Sequence, residues 1–316
     1  MIRHVTAILL AILGPLALRA QSVSLMSHYF EVPALYNPGS IGTTDYLTLR
    51  GAGRLQWTGA DNAPKIFAGV VDMPVAINRL PRLAVGATVM HESMELFSNT
   101  SWGIMLGYPA KIGKGTLTIG LKGGMATVDP DIPSVDTKKN LLDLGAGINY
   151  HRDRFDVGVS LLHATGPVAK FEADKSATPS EDTSDESSDA TQNYEFQLKR
   201  TLYFSTSGNI PVNNTLIEVL PGIIAATDFD SWTGVATLMA RWKRLIRFGA
   251  GYRWKDAVII YLGVDYRNFY LGYSYDYPVG HTSRAGNGSH ELTAGYRVKL
   301  NLARKSKFKQ KSIRLM

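Results

Sequence analysis

The chain of 316 residues contains no cysteine. That absence excludes disulfides, thiolate metal sites, cysteine nucleophiles and a lipidated N-terminal cysteine. Beyond the first twenty residues no stretch approaches the length of a membrane-spanning apolar helix. Acids are scarce relative to bases, with 27 Asp+Glu against 34 Lys+Arg and a formal charge of +7. A positive balance raises the question of nucleic-acid binding, but its placement argues against that. Residues 1–20 contribute +2 and residues 303–316 contribute +6, so the body of the chain, 21–302, stands at −1. The basicity is terminal, and no nucleic-acid partner is expected. With 45% hydrophobic residues the chain has enough apolar surface for a folded domain.

What is present begins with an export pattern. Met1-Ile2-Arg3-His4 is a short positive start, residues 5–18 form an apolar stretch, and Ala20 precedes a cleavage point at Gln21. Gly14-Pro15 breaks the stretch, which is too short to span a bilayer. A signal peptide over 1–20 is expected, the plainer alternative being a buried N-terminal helix. An exported chain without cysteine or a membrane helix, and with 30 glycines, is a soluble periplasmic protein, a secreted β-protein or an outer-membrane barrel.

Period two decides among them. Leu117, Ile119, Leu121 and Met125 share one face of a strand, opposite Thr118, Gly120, Lys122 and Gly124. Phe155, Val157, Val159 and Leu161 oppose Asp156, Gly158 and Ser160, and the same alternation runs through 269–277 and 291–300. A soluble sandwich would pack its apolar face on a second sheet. A barrel turns that face to lipid and keeps a polar, glycine-rich face toward the lumen. Segments of 10–14 residues suit a tilted membrane strand. Aromatics stand near segment ends, at Trp57, Trp102, Tyr108, Tyr150, Trp232, Trp242, Trp254 and Tyr277, where interfacial girdles belong. The pattern predicts an all-β, antiparallel transmembrane outer-membrane β-barrel of about 14 strands over 21–302.

The strands are placed at roughly 45–57, 65–75, 83–96, 100–112, 115–128, 139–151, 154–165, 194–209, 215–228, 231–243, 244–254, 256–264, 267–277 and 289–302. Links after even-numbered strands are mostly short. The long ones, 129–138, 166–193 and 278–288, all follow odd strands. Turns at one end and loops at the other are the periplasmic and extracellular sides, with both termini periplasmic. Residues 170–192 carry seven acids among many Ser and Thr and read as a solvated extracellular loop within 166–193. The calcium-loop pattern D-x-[DN]-x-[DN]-G is absent from it. Residues 303–316 read as a basic periplasmic tail.

Catalytic patterns are missing. The seven histidines are scattered, and no HExxH, nucleophile elbow or P-loop occurs. A Ser160/His163 pair could meet across strands, but isolated polar residues are ordinary barrel lining. No enzyme activity, cofactor or metal is expected.

Two stretches carry a resemblance. Tyr36-Asn37-Pro38-Gly39-Ser40-Ile41-Gly42 is followed by Arg54, Gln56, Trp57, Gly59 and then Ala63-Pro64. Near the other end stand Trp254-Lys255-Asp256-Ala257, then Leu271-Gly272-Tyr273-Ser274-Tyr275-Asp276-Tyr277, then Gly288-Ser289-His290-Glu291. In order and spacing these resemble the motifs of the PorP/SprF family of type IX secretion system outer-membrane proteins. The resemblance implies a non-enzymatic barrel serving protein secretion and gliding motility in a Bacteroidetes-like outer membrane. Its implied partners are type IX components, a secreted adhesin-like substrate, or both, with outer-membrane lipid around the wall.

The motif residues also have local readings. Asn37-Pro38-Gly39 is turn chemistry: either a turn leading from the periplasm into the first strand or a partner contact. Arg54 and Gln56 share a face opposite Leu55 and Trp57 and point inward. Arg54 can pair with Asp276 or Glu291 to hold a plug or loop, or it can bind cargo. Gly288 to Glu291 opens the closing strand, where it caps the preceding loop. Tyr36, Pro38, Gly42, Trp57, Gly59, Pro64 and His290 complete the set of partner or lumen contacts. The alternative function is a porin or FadL-like solute transporter; a secreted sandwich protein is the third reading.

Overall fold

The computed structural model describes residues 24–60, 62–77, 80–132, 135, 137–173, 192–212, 216–279 and 286–300. The expected signal peptide 1–20, the expected basic tail 303–316 and the acidic stretch 174–191 lie outside them. Alternating sequence gives long antiparallel strands: β1 (Tyr46–Leu55), β2 (Lys65–Ile77), β3 (Leu80–Ser93), β4 (Phe97–Ile112), β5 (Gly115–Pro130), β6 (Lys139–Arg152) and β7 (Phe155–Leu162). A hairpin follows, β8 (Val168–Ala173) and β9 (Gln192–Gln197). Then come β10 (Thr201–Gly208), β11 (Ile210–Val212), β12 (Ile217–Thr227), β13 (Trp232–Trp242), β14 (Ile246–Arg253), β15 (Ala257–Tyr266), β16 (Phe269–Pro278) and β17 (Ser289–Lys299).

β11 continues β10 past a break at Asn209, and both pair with β12. Counted as one strand they bring the barrel to fourteen. Consecutive strands pair around the wall, β7 pairs with β10, and β1 closes on β17 from Tyr46↔Lys299 to Leu55↔His290. A closed ladder leaves no unpaired edge, which is the condition for crossing a bilayer with strands.

The faces sort as alternation demands. Leu121, Leu106 and Ile104 are about 60% exposed on the outer wall, while Lys122, Asn149 and Ser160 are buried inside. Trp102, Tyr108, Trp232, Trp242, Trp254 and Tyr277 are also exposed, and Trp232 and Trp254 pair with ring centroids 5.4 Å apart. Numbered around the fourteen-strand barrel, the turns after even strands are short, as at 113–114, 153–154 and 267–268, and the longest links all follow odd strands.

Two expectations need correction. The segment expected as one strand at 194–209 is divided. Its first part belongs to the β8–β9 hairpin, which forms its own two-stranded sheet, and the barrel strand begins at Thr201. The loop read as wholly solvated therefore has ordered arms. Ala169, Phe171, Phe196 and Leu198 bury against Ala126, Val128 and Leu141, with Phe97 alongside. Four apolar residues at period two suffice to anchor the arms, although the acidic middle masks them in a composition average.

The second correction concerns Asn37-Pro38-Gly39. This turn is not a link beneath the barrel but part of a plug inside it. Residues 24–42 contribute no strand and fill the lumen, with two 3-10 turns at Pro33–Leu35 and Pro38–Ser40. Leu25, Met26, Tyr29, Val32, Leu35 and Ile41 form the main apolar core with inward wall residues such as Ile224, Val235 and Tyr261.

Candidate functional site

The described part of the plug starts at the loop end of the lumen, where Ser24 hydrogen-bonds Glu92 near the end of β3, and not at the turn end where the periplasmic N-terminus was expected. Its tip is held by four buried charges. The fully buried Glu291 carboxylate accepts the backbone amides of Ser27 and His28, each at 2.7 Å, and meets His28 Nδ1 at 3.1 Å. Two adjacent backbone N–H groups aimed at one carboxylate make strong charge-assisted bonds. Asp276 accepts from the Ser27 hydroxyl at 2.8 Å. Arg54 bridges the acids, 2.7 Å from Asp276 and 3.3 Å from Glu291, and also donates to Ser27 Oγ at 2.9 Å. Arg253 donates to the Leu25 carbonyl at 2.7 Å, to Ser27 Oγ at 2.9 Å and to Asp276 at 3.1 Å. The Tyr261 hydroxyl donates to the Ser27 carbonyl at 3.0 Å.

These side chains come from β1, β14, β15, β16 and β17, whose alternation turns positions 54, 253, 261, 276 and 291 inward. Two arginines face two acids, so the cluster is balanced. Burying it is tolerable because most of the remaining lone pairs and N–H groups find partners on the plug, while Arg253 Nε lies 3.3 Å from Asp256.

Further along, Glu31 of the plug pairs with Arg247, which also binds Asp265. The Tyr36 hydroxyl accepts the Met26 amide at 2.9 Å, its ring lies 5.4 Å from that of Tyr203, and its carbonyl accepts from Ser160. Asn37 caps Pro38–Ser40, accepting from the Gly39 amide at 2.8 Å and donating to the Ile148 carbonyl at 3.1 Å. Pro38 and Asn37 rest on a shelf of glycines. A Cβ at Gly120 would lie 2.2 Å from the Pro38 backbone, and one at Gly147 would lie 2.2 Å from Asn37 Oδ1. Gly42, at φ +61°, donates its amide to Asp72 at 3.0 Å before the chain enters β1. Arg50 and Thr48 bind the same carboxylate.

The remaining motif residues form a clasp above the tip. The Gln56 amide donates to the Pro64 carbonyl at 3.0 Å, closing the loop after β1. Thr58 exchanges backbone bonds with Gly288 and Asn287, and the Trp57 amide donates to Ser289 Oγ at 3.1 Å. Gly59 adopts φ +92° against Asn287. His290 faces outward beside Tyr273, whose hydroxyl lies 2.7 Å from its Nδ1, and so does not join the lumenal cluster. Ser160 and His163 do not meet. Ser160 serves the plug, while His163 and Lys122 share Asp143 at 2.8 and 2.9 Å.

Sequence reasoning paired Arg54 with Asp276 and Glu291 as candidates and missed Ser27, His28, Arg253 and Tyr261. Arg253 stands directly before the quoted Trp254-Lys255-Asp256-Ala257, on the inward parity of β14, and that parity was the available signal. Residues 25–28 lie in a segment without any period, so nothing marked them. Among the described residues no group of acids and histidines could hold a metal ion.

Fold and site together define a plugged outer-membrane β-barrel. The family model for the type IX secretion system membrane protein PorP/SprF matches residues 18–296, and the chain belongs to that family. No curated protein shows significant sequence similarity. Among solved structures, a FadL homologue of Pseudomonas aeruginosa is 11% identical with a TM-score of 0.47, covering 84% of this chain and 94% of its own. The NanC porin is 10% identical with a TM-score of 0.33, covering 80% and 100%. Outer membrane phospholipase A from Escherichia coli is 8% identical with a TM-score of 0.35, covering 83% and 99%. No activity is transferred from any of the three.

Proposed function

We propose that the protein is a non-enzymatic component of the type IX system that supports secretion or surface attachment of a partner protein through protein–protein contacts. The observation that carries this reading is the filled lumen. Motif residues from both ends of the chain hold a plug in place, and the space beside His28 and Phe30 amounts to about 20 Å³. A barrel closed in this way acts through its surfaces, its loops and its plug, in contrast to a porin with an open aqueous lumen. The partner is another type IX component, a secreted adhesin-like substrate, or both. In this reading residues 1–20 serve export, and the six positive charges of 303–316, which lie outside the described residues, are available to anionic head groups, acidic partners or peptidoglycan on the periplasmic side.

The test is a deletion strain combined with crosslinking of outer membranes and mass spectrometry of what co-purifies. Loss of one or more surface proteins from the deletion strain, with recovery of a type IX component or secreted substrate, is the expected outcome. Normal secretion together with large single-channel conductance would establish the solute-channel reading instead.

A further inference from the structure

The cluster that holds residues 25–28 recognises mostly backbone. Glu291 takes two successive amides, Arg253 takes the Leu25 carbonyl, and Tyr261 takes the Ser27 carbonyl. The one side chain it reads through a dense set of polar contacts is the Ser27 hydroxyl, shared by Arg54, Arg253 and Asp276. Contacts of this kind select an extended segment with a small hydroxylated residue at one position and are tolerant elsewhere.

The segment in place is not woven into the wall. It contributes no strand, and its tip is fixed by side-chain contacts from the barrel. Emptying the cluster would be costly. Glu291 is fully buried, and without the two amides it would keep only Arg54 at 3.3 Å as a charged partner. Exchanging one peptide for another restores every bond, so replacement is far easier than vacancy. Access also fits. Arg54, Arg253, Asp276 and Glu291 all lie within three residues of the loop-side ends of their strands, beneath the clasp formed by Thr58 and Gly288.

We propose that this cluster is a peptide-binding site which residues 24–28 fill in cis. In trans it takes an extended segment of a partner protein that places Ser or Thr between Arg54 and Asp276. Partner binding would then displace the plug tip and report occupancy to the rest of the lumen. This rests on the partner-binding reading above and names the site and the chemistry of the segment that enters it.

The experiment uses the full chain purified in detergent and a labelled peptide Ser-Leu-Met-Ser-His-Tyr-Phe-Glu-Val, the sequence of residues 24–32. Ser27→Pro removes the amide and hydroxyl that the cluster holds and so frees the tip. Heat-modifiable migration on gels checks that the barrel remains closed. The folded Ser27→Pro protein is expected to bind the peptide at least tenfold more tightly than the unaltered protein does. A control peptide with proline in place of its second serine is expected to lose that gain. Adding Glu291→Gln, or Tyr261→Phe should the first disturb folding, is expected to weaken peptide binding severalfold. A folded Ser27→Pro protein that ignores the peptide, or binds both peptides alike, would overturn the site. Failure here leaves the secretion defect of a deletion strain untouched, whereas normal secretion in that strain removes the broader reading whatever the peptide does.

Discussion

Arg54 shows how much one residue organises. Its side chain is 3% exposed, and its guanidinium touches both acids and the plug. Removing one member of a buried charge set strands the others, at a cost of about 3–5 kcal/mol. Arg54→Met is therefore expected to lower barrel stability by that order in urea titrations followed by tryptophan fluorescence. The double change Arg54→Met, Glu291→Gln should recover part of the loss, because Asp276 then keeps Arg253 as its partner and neither acid is left unpaired; no recovery would mean that the cluster acts by something other than charge balance. The glycine shelf makes a second prediction. At Gly120 an added Cβ meets backbone of Pro38 and Gly39 and no flexible side-chain end that could move aside. Gly120→Ala should lift the plug while leaving the wall closed, seen as raised single-channel conductance with unchanged heat-modifiability. Conductance equal to that of the unaltered protein would show that the plug accommodates the methyl group.

At the scale of elements, the strands were legible because their alternation is local. The order of apolar and polar residues in β5, β7, β16 and β17 states which face meets lipid. The break at Asn209 and the hairpin arms were harder to read. β8 and β9 are six residues each and flank a long acidic stretch that dominates any window containing them. Their stability comes from Phe171 and Phe196 packing on Phe97, with ring centroids 5.7 and 5.5 Å away. Phe171→Ala is expected to release the hairpin, since truncating a buried phenylalanine costs about 3–5 kcal/mol. Limited proteolysis should then cut near 168–197 while the barrel stays resistant. A hairpin as resistant as before would place its anchorage elsewhere.

Across the whole molecule, closure of β1 on β17 brings the chain's two motif regions together. The plug then threads between them, so Ser27 and Glu291 touch across 264 positions of sequence. Deleting residues 24–42 is expected to yield a closed but conducting barrel that no longer supports secretion, measured in lipid bilayers and by surface display in cells. Secretion at the normal level from the plugless form would reduce the plug to a stopper. The sequence by itself determined the compartment pattern, the strand count, the faces of the strands and the family, because period two, turn placement and motif order are all written along one dimension. The tertiary structure alone decided that the lumen is plugged, that Asn37-Pro38-Gly39 rests on glycines of β5, β6 and β7, and that Arg54, Arg253, Asp276 and Glu291 converge on residues 25–28. A strand's facing depends on its neighbours in sequence, whereas the occupant of a lumen depends on how a closed sheet is filled.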